Sequence, residues 1–315
     1  MHQQLLKSLL TLTVTGSVLF AMTSINVNAS NLTKSSTTNN IPSIGRNLNK
    51  VSTYTVSNAT ETIFTDDFEQ PLNDDYWYKE IPNPNSITLS NKYHYSGKKS
   101  LRVQLNKNDK IVSDSKRSEI RIDQANPVIS NIQNEQRQEH TYTFYTLLPK
   151  GGSEDYKIDS EGSEIIAQWH NQPDLDKNEP WTSPPLSLHT FDGHYIIGRC
   201  WDDAEVSTDQ SIIDKKNFAS YDLGSYVEDK GKWVKWSFHI KWGWLSSQNP
   251  ILEVYKNDNL VLDCNGLPNT TNDELGPIMK LGIYKWNWAQ PDDTSTLTKR
   301  VIYFDNVSVI NKFLE

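Results

Sequence analysis

From Glu61 onward, apolar and polar residues alternate in short runs separated by turn-forming residues. The clearest run is 233–242. Val234, Trp236, Phe238, Ile240 and Trp242 fall on one side, and Lys235, Ser237, His239 and Lys241 on the other. A period of two is that of a β-strand, whose successive side chains point to opposite faces. The apolar face is therefore core, and the second face is read as solvent-facing. Residues 100–105, 141–145 and 301–307 repeat the pattern, and 63–69 has the look of a first edge strand. Helix-period runs of useful length are scarce. Many short strands predict an all-β fold, a jelly-roll sandwich of two antiparallel sheets.

The alternation does not reach the N-terminus. Lys7 precedes an apolar run through Leu19-Phe20-Ala21-Met22, and Val27-Asn28-Ala29 has a cleavage-site pattern. Residues 1–29 thus read as a secretory signal, and export as the destination. Residues 30–60 are rich in Ser, Thr and Asn and read as a linker, with sequons beginning at Asn31 and Asn58. Residues 61–315 make one domain of ordinary size.

Three strand-like stretches carry an ionisable face. In Arg117-Ser118-Glu119-Ile120-Arg121, the two arginines and the glutamate share one side. In Glu164-Ile165-Ile166-Ala167-Gln168-Trp169-His170, Gln168 and His170 share a side, with Ala167 and Trp169 behind. In Lys280-Leu281-Gly282-Ile283-Tyr284, Lys280, Gly282 and Tyr284 share a side. Taken singly, each is most simply a salt-bridged or solvated strand face. Gathered on one sheet, they suit β-elimination from a uronic-acid polymer. Arg and Gln donors neutralise the uronate carboxylate, a base removes the C5 proton, and an acid protonates the departing C4 oxygen. His170 is the natural base. Tyr284 is the natural acid, and acts as base only if neighbouring cations lower its pKa. Glu119 is placed to hold the arginines and, between them, to stay ionised.

In this order, the three blocks resemble the signature blocks of jelly-roll polysaccharide lyases. The resemblance covers most of 61–315. Jelly-roll alginate lyases carry similar blocks, and the heparin lyase I and glucuronan lyase group carries related ones. The resemblance implies a cleft across a concave sheet. Arg117, Gln168 and His170 would neutralise the carboxylate, with His170 or Tyr284 as base and Tyr284 as acid. Arg121 and Lys280 would bind substrate, with Glu119 beside them. Lys285-Trp286 after the tyrosine departs from the alginate pattern and looks closer to the glucuronan and heparin group. A glucuronic-acid-containing polymer is therefore expected, with alginate as the alternative.

Composition qualifies this picture. A net charge of −8 argues against nucleic acid, and requires any polyanion site to gather its cations locally. Ten Trp and 14 Tyr provide for core packing and for sugar stacking. No cofactor is required by the chemistry. The resemblance admits a structural calcium ion, for which Asp66-Asp67, Asn272-Asp273-Glu274 and Asp305-Asn306 offer oxygens. Cys200 and Cys264 match no zinc spacing, and either pair or stay as buried thiols. No membrane span is expected once the signal is removed, and a monomer is expected. The rival readings are a non-catalytic carbohydrate-binding module, a surface protein and a glycoside hydrolase. The last needs a flanking carboxylate pair that the chain does not display.

Overall fold

The alternating runs become two antiparallel sheets in the computed structural model, which describes residues 60–122 and 139–312. The strands in chain order are Thr60–Asp66 (β1), Trp77–Glu80 (β2), Ile87–Ser90 (β3), Ser100–Asn106 (β4), Arg117–Ile122 (β5), Glu139–Leu147 (β6), Glu164–Gln172 (β7) and Leu186–Phe191 (β8). They continue with His194–Cys200 (β9), Phe218–Ser225 (β10), Trp233–Lys241 (β11), Ile251–Lys256 (β12), Asn259–Asp263 (β13), Leu275–Tyr284 (β14) and Lys299–Lys312 (β15). Among the described residues there is one α-helix, Asp209–Lys215 (α1), started by a reciprocal Thr208–Ser211 capping box. The proposed signal and all but the last residue of the linker lie outside the described residues.

One sheet runs β13-β12-β11-β6-β15-β4-β3, with β1 added against β15. The other runs β10-β9-β8-β7-β14-β5-β2. This is the jelly-roll sandwich expected from the pattern. Strand β11 alternates as read: its apolar residues are buried, and its polar face looks out from the first sheet. That face is no groove floor, because the three ionisable stretches all lie in the second sheet. His239 instead bridges Glu139 and Glu253.

Aromatic side chains join the sheets. Trp169 of β7 is fully buried against Phe238 (4.5 Å) and Tyr142 (5.3 Å) of the first sheet. Burying so large a ring is worth about 3 kcal/mol or more. It also fixes the face on which its neighbours Gln168 and His170 emerge. Cys200 and Cys264 are both free and buried, so the pairing alternative does not hold.

Candidate active site

The three ionisable stretches are neighbours. Strand β14 lies between β5 and β7. Its register sets Lys280 opposite Arg121, Gly282 opposite Glu119, and Tyr284 opposite Arg117. On the other side, Lys280 faces Gln168 and Ile278 faces His170. In β5 the core takes Ser118, Ile120 and Ile122, so Arg117, Glu119 and Arg121 turn to the outer face.

Gly282 makes this packing feasible. Its φ is +150°, and an added Cβ would lie 2.2 Å from the Ser118 carbonyl oxygen and 2.6 Å from Glu119 Cα. Only glycine lets β5 and β14 approach so closely there.

The charges form a braced layer. Glu119 is buried, accepts from Gln168 Nε2 (2.6 Å), and pairs with Arg117 (3.4 Å). Arg121 does not join it. Arg121 pairs instead with Glu80 of β2 (3.6 Å), which also meets Arg117 (3.4 Å) and Lys280 (3.0 Å). Burial alone would raise the Glu80 pKa, but Lys280, Arg117 and Arg121 more than reverse this and hold it low. At Glu119 burial prevails over Lys280 and Arg117, and the pKa is raised, contrary to the expectation that it stays firmly ionised. Three cations thus face two buried carboxylates, and a third, exposed carboxylate, Asp114, lies 3.6 Å from Arg117.

Above this layer stand the residues that solvent reaches. The Arg117 guanidinium lies 4.3 Å from the Tyr284 ring centre. Burial raises the Tyr284 pKa further than Arg117 lowers it, so the resting phenol keeps its proton. Arg121 stacks on Tyr78, whose ring is 49% exposed. His170 is half-buried, edge-on to the exposed Trp181 at 5.3 Å. Its Nδ1 lies 3.2 Å from the Asn171 carbonyl oxygen. A carbonyl only accepts, so Nδ1 carries the hydrogen and Nε2 the lone pair. Burial, then Lys280, lowers the imidazole pKa to about 4, so it is neutral at pH 7.

The expected residues do not all meet. Arg117, Glu119, Gln168, Lys280 and Tyr284 share one cluster. Gln168 has no exposed surface, and its amide holds Glu119. His170 lies across from Ile278, next along the strand to the Gln168–Lys280 pair, and feels the charges of Lys280, Arg117 and Glu80. Sequence reasoning missed Glu80 and Tyr78. Their period-two spacing in Trp77-Tyr78-Lys79-Glu80 was the available signal, but four residues make a weak one. Lys285 is fully buried, donating to the Gly162 carbonyl (2.9 Å) and pairing with Asp159 (2.8 Å) and Glu164 (3.5 Å).

The acidic turns suggested for calcium are occupied by the chain itself. Asp66 accepts from Phe68 N and Trp77 Nε1, and Asp305 from Tyr95 N and Asn306 N. No group of three or more His, Cys, Asp or Glu among the described residues is placed to hold a metal.

A protein-family model described as polysaccharide lyase matches residues 51–308. Among solved structures, the chain is similar to an endo-β-1,4-glucuronan lyase from the fungus Trichoderma reesei, with TM-score 0.61 and 17% identity over 79% of this chain and 95% of that one. It is also similar to a family 7 alginate lyase, A1-II′, solved with substrate, with TM-score 0.50 and 15% identity over 76% of this chain and 94% of that one. Identities this low speak for the fold alone. A search of curated proteins found no match.

Proposed function

The chain belongs to the polysaccharide lyase family, and on that premise we propose that it cleaves a glucuronic-acid-containing polymer by β-elimination. The observation that carries this reading is the gathering of Arg117, Arg121 and Lys280 on one sheet face beside Tyr284. A uronate carboxylate is the ligand that such a cluster of cationic donors suits. Its neutralisation by fixed donors makes the C5 proton removable.

In glucuronate the C5 hydrogen and the C4 oxygen lie on the same side of the ring. One group can then serve both. Tyr284, as phenolate, takes the C5 proton; the C4–O bond breaks as the C4=C5 double bond forms; and the phenol returns the proton to O4. Arg117 at 4.3 Å stabilises the phenolate. With one group serving both steps, the exchange does not call on His170 as a second acid or base. Its Nε2 lone pair suits a sugar hydroxyl better than a carboxylate. Gln168 acts through Glu119 and keeps Arg117 aimed. The cleavage needs no cofactor on this reading, and residues 1–29 serve as the export signal.

The test is incubation with glucuronan, heparin, heparan sulfate and alginate, following ultraviolet absorbance of the unsaturated uronate. Glucuronan is expected to give the fastest rise. A folded protein that acts on none of the four, or that releases reducing ends without unsaturation, would overturn the proposal. N-terminal sequencing of the exported protein should begin after Ala29.

A further inference from the structure

The outer face of the seven-stranded sheet is divided chemically, and the register shows where. One cross-strand row runs Tyr78, Arg121, Lys280, Gln168, Ser187, Gly198, Ser220, from β2 to β10. A parallel row runs Arg117, Tyr284, Ile165, His189, Ile196, Asp222. In neither row does a Lys or Arg stand beyond β14. Strands β8 and β9 contain one Lys or Arg between them, Arg199. It is buried, stacks on Trp201 at 4.3 Å, and donates to the Tyr221 hydroxyl at 2.9 Å. The far rim carries Asp222, paired with His194 at 2.9 Å.

What this half offers is hydroxyls and a ring. His189 Nε2 lies 2.7 Å from Ser187 Oγ, and its Nδ1 lies 3.0 Å from Ser163 Oγ. Burial lowers the imidazole pKa to about 4, so it is neutral at pH 7. Each hydroxyl bound to it keeps hydrogen-bonding capacity for a ligand. Trp286, half-buried, stands 6.0 Å from His189 and 5.7 Å from Tyr284, linking this patch to the reacting centre. The floor is kept low at Gly198, where an added Cβ would lie 2.9 Å from Ser187 Oγ and 3.0 Å from His189 Nε2. Strands are about 4.8 Å apart, so β8 and β9 lie about 10 and 14 Å beyond the strand that carries Tyr284.

We propose that Ser187, His189, Gly198 and Trp286 form a subsite for a sugar ring that needs no charge, bound through its hydroxyls and its apolar face. The inference rests on the lyase reading. It adds that only the ring over the Arg117–Lys280 layer must be a uronate. An anionic group over β8 and β9 would find no cation and would approach Asp222.

The probe is cellotetraose, an uncharged β-1,4-glucan oligosaccharide, titrated calorimetrically into the full chain. Binding to the unaltered protein is expected, weakened at least tenfold in His189→Ala and in Trp286→Ala. Gly198→Ala, which displaces the Ser187–His189 contact without changing either partner, should weaken it similarly. Thermal melts establish that each variant is folded, and Gly198→Ala stands in should His189→Ala not fold. Absence of binding to the unaltered protein, or undiminished binding in the folded variants, overturns the subsite. Because no turnover is required, unsaturated product without cellotetraose binding defeats this inference alone. Binding without product on any polyuronate defeats the lyase substrate reading instead.

Discussion

Glu80 is one carboxylate serving three cations, at 3.0 Å from Lys280, 3.4 Å from Arg117 and 3.6 Å from Arg121. Leaving a buried charge without its partner costs about 3–5 kcal/mol, and here three charges share the loss. Glu80→Gln should therefore lower the denaturation midpoint and reduce kcat/KM by roughly a hundredfold, because the cations repel and leave their aim. Stability close to that of the unaltered protein would show that the brace is dispensable. Tyr284→Phe tests the opposite role. It keeps the ring against Arg117 but removes the exchangeable proton, so turnover should fall at least a thousandfold, with polymer affinity changed about twofold or less. The pH profile discriminates the base. With Tyr284 as base and its pKa above the ordinary value near 10, kcat/KM should climb through the alkaline range as phenolate accumulates. With His170 as base, whose pKa is about 4, the rate would level off above about pH 5 and fall as the phenol ionises. That Arg117, Gln168, His170, Lys280 and Tyr284 carry ionisable or polar faces of strands was legible from their period-two spacing. Their partners were not, since Glu80 lies 37 positions before Arg117 and no local pattern connects them.

At the scale of the strand, β14 carries the arrangement. Its residues Leu281 and Ile283 are buried core, while Lys280 and Tyr284 serve the outer face. Between them, Gly282 receives Glu119 across the strand pair. Gly282→Ala sets a methyl group against the Ser118 carbonyl, which separates β5 from β14. A loss of about 3 kcal/mol or more in chemical denaturation is expected, with activity falling alongside. An unchanged midpoint would contradict the close approach. Strong alternation made β11, β5 and β14 readable from sequence, because the period alone fixes which side chains meet water. The short edge strand β2 has no such redundancy. Register is also invisible to periodicity, which is why the pairing of His170 with Ile278 and of Gln168 with Lys280 emerged only from the strand order.

At the scale of the whole molecule, three histidines among the described residues are held neutral. Burial lowers His140, His170 and His189 each to about 4, against an ordinary value near 6.5. The unfolded chain therefore binds more protons than the folded one between those limits, and stability must fall as pH drops from about 6.5 toward 4. Each group contributes up to about 1.4 kcal/mol per pH unit in that window. Thermal melts should show a steep decline from pH 6.5 to 4 and little histidine-linked change above 7. A flat profile would mean that the imidazoles protonate freely. The two-sheet architecture was legible in the alternation and turns.

Lys285 carries a consequence for engineering. It follows Tyr284 directly, yet its ammonium is sealed inside with Asp159, Glu164 and the Gly162 carbonyl. The two neighbours therefore answer to different selective demands, one to turnover and the other to interior charge balance. Any change at 285 takes the ammonium from Asp159 and from Glu164, which keeps only Arg300 at 2.8 Å as its cation, so its tolerated replacements depend on what occupies 159 and 164. Exchange of this segment with a relative is expected to be strongly epistatic: harmful one position at a time, and accepted only as a set.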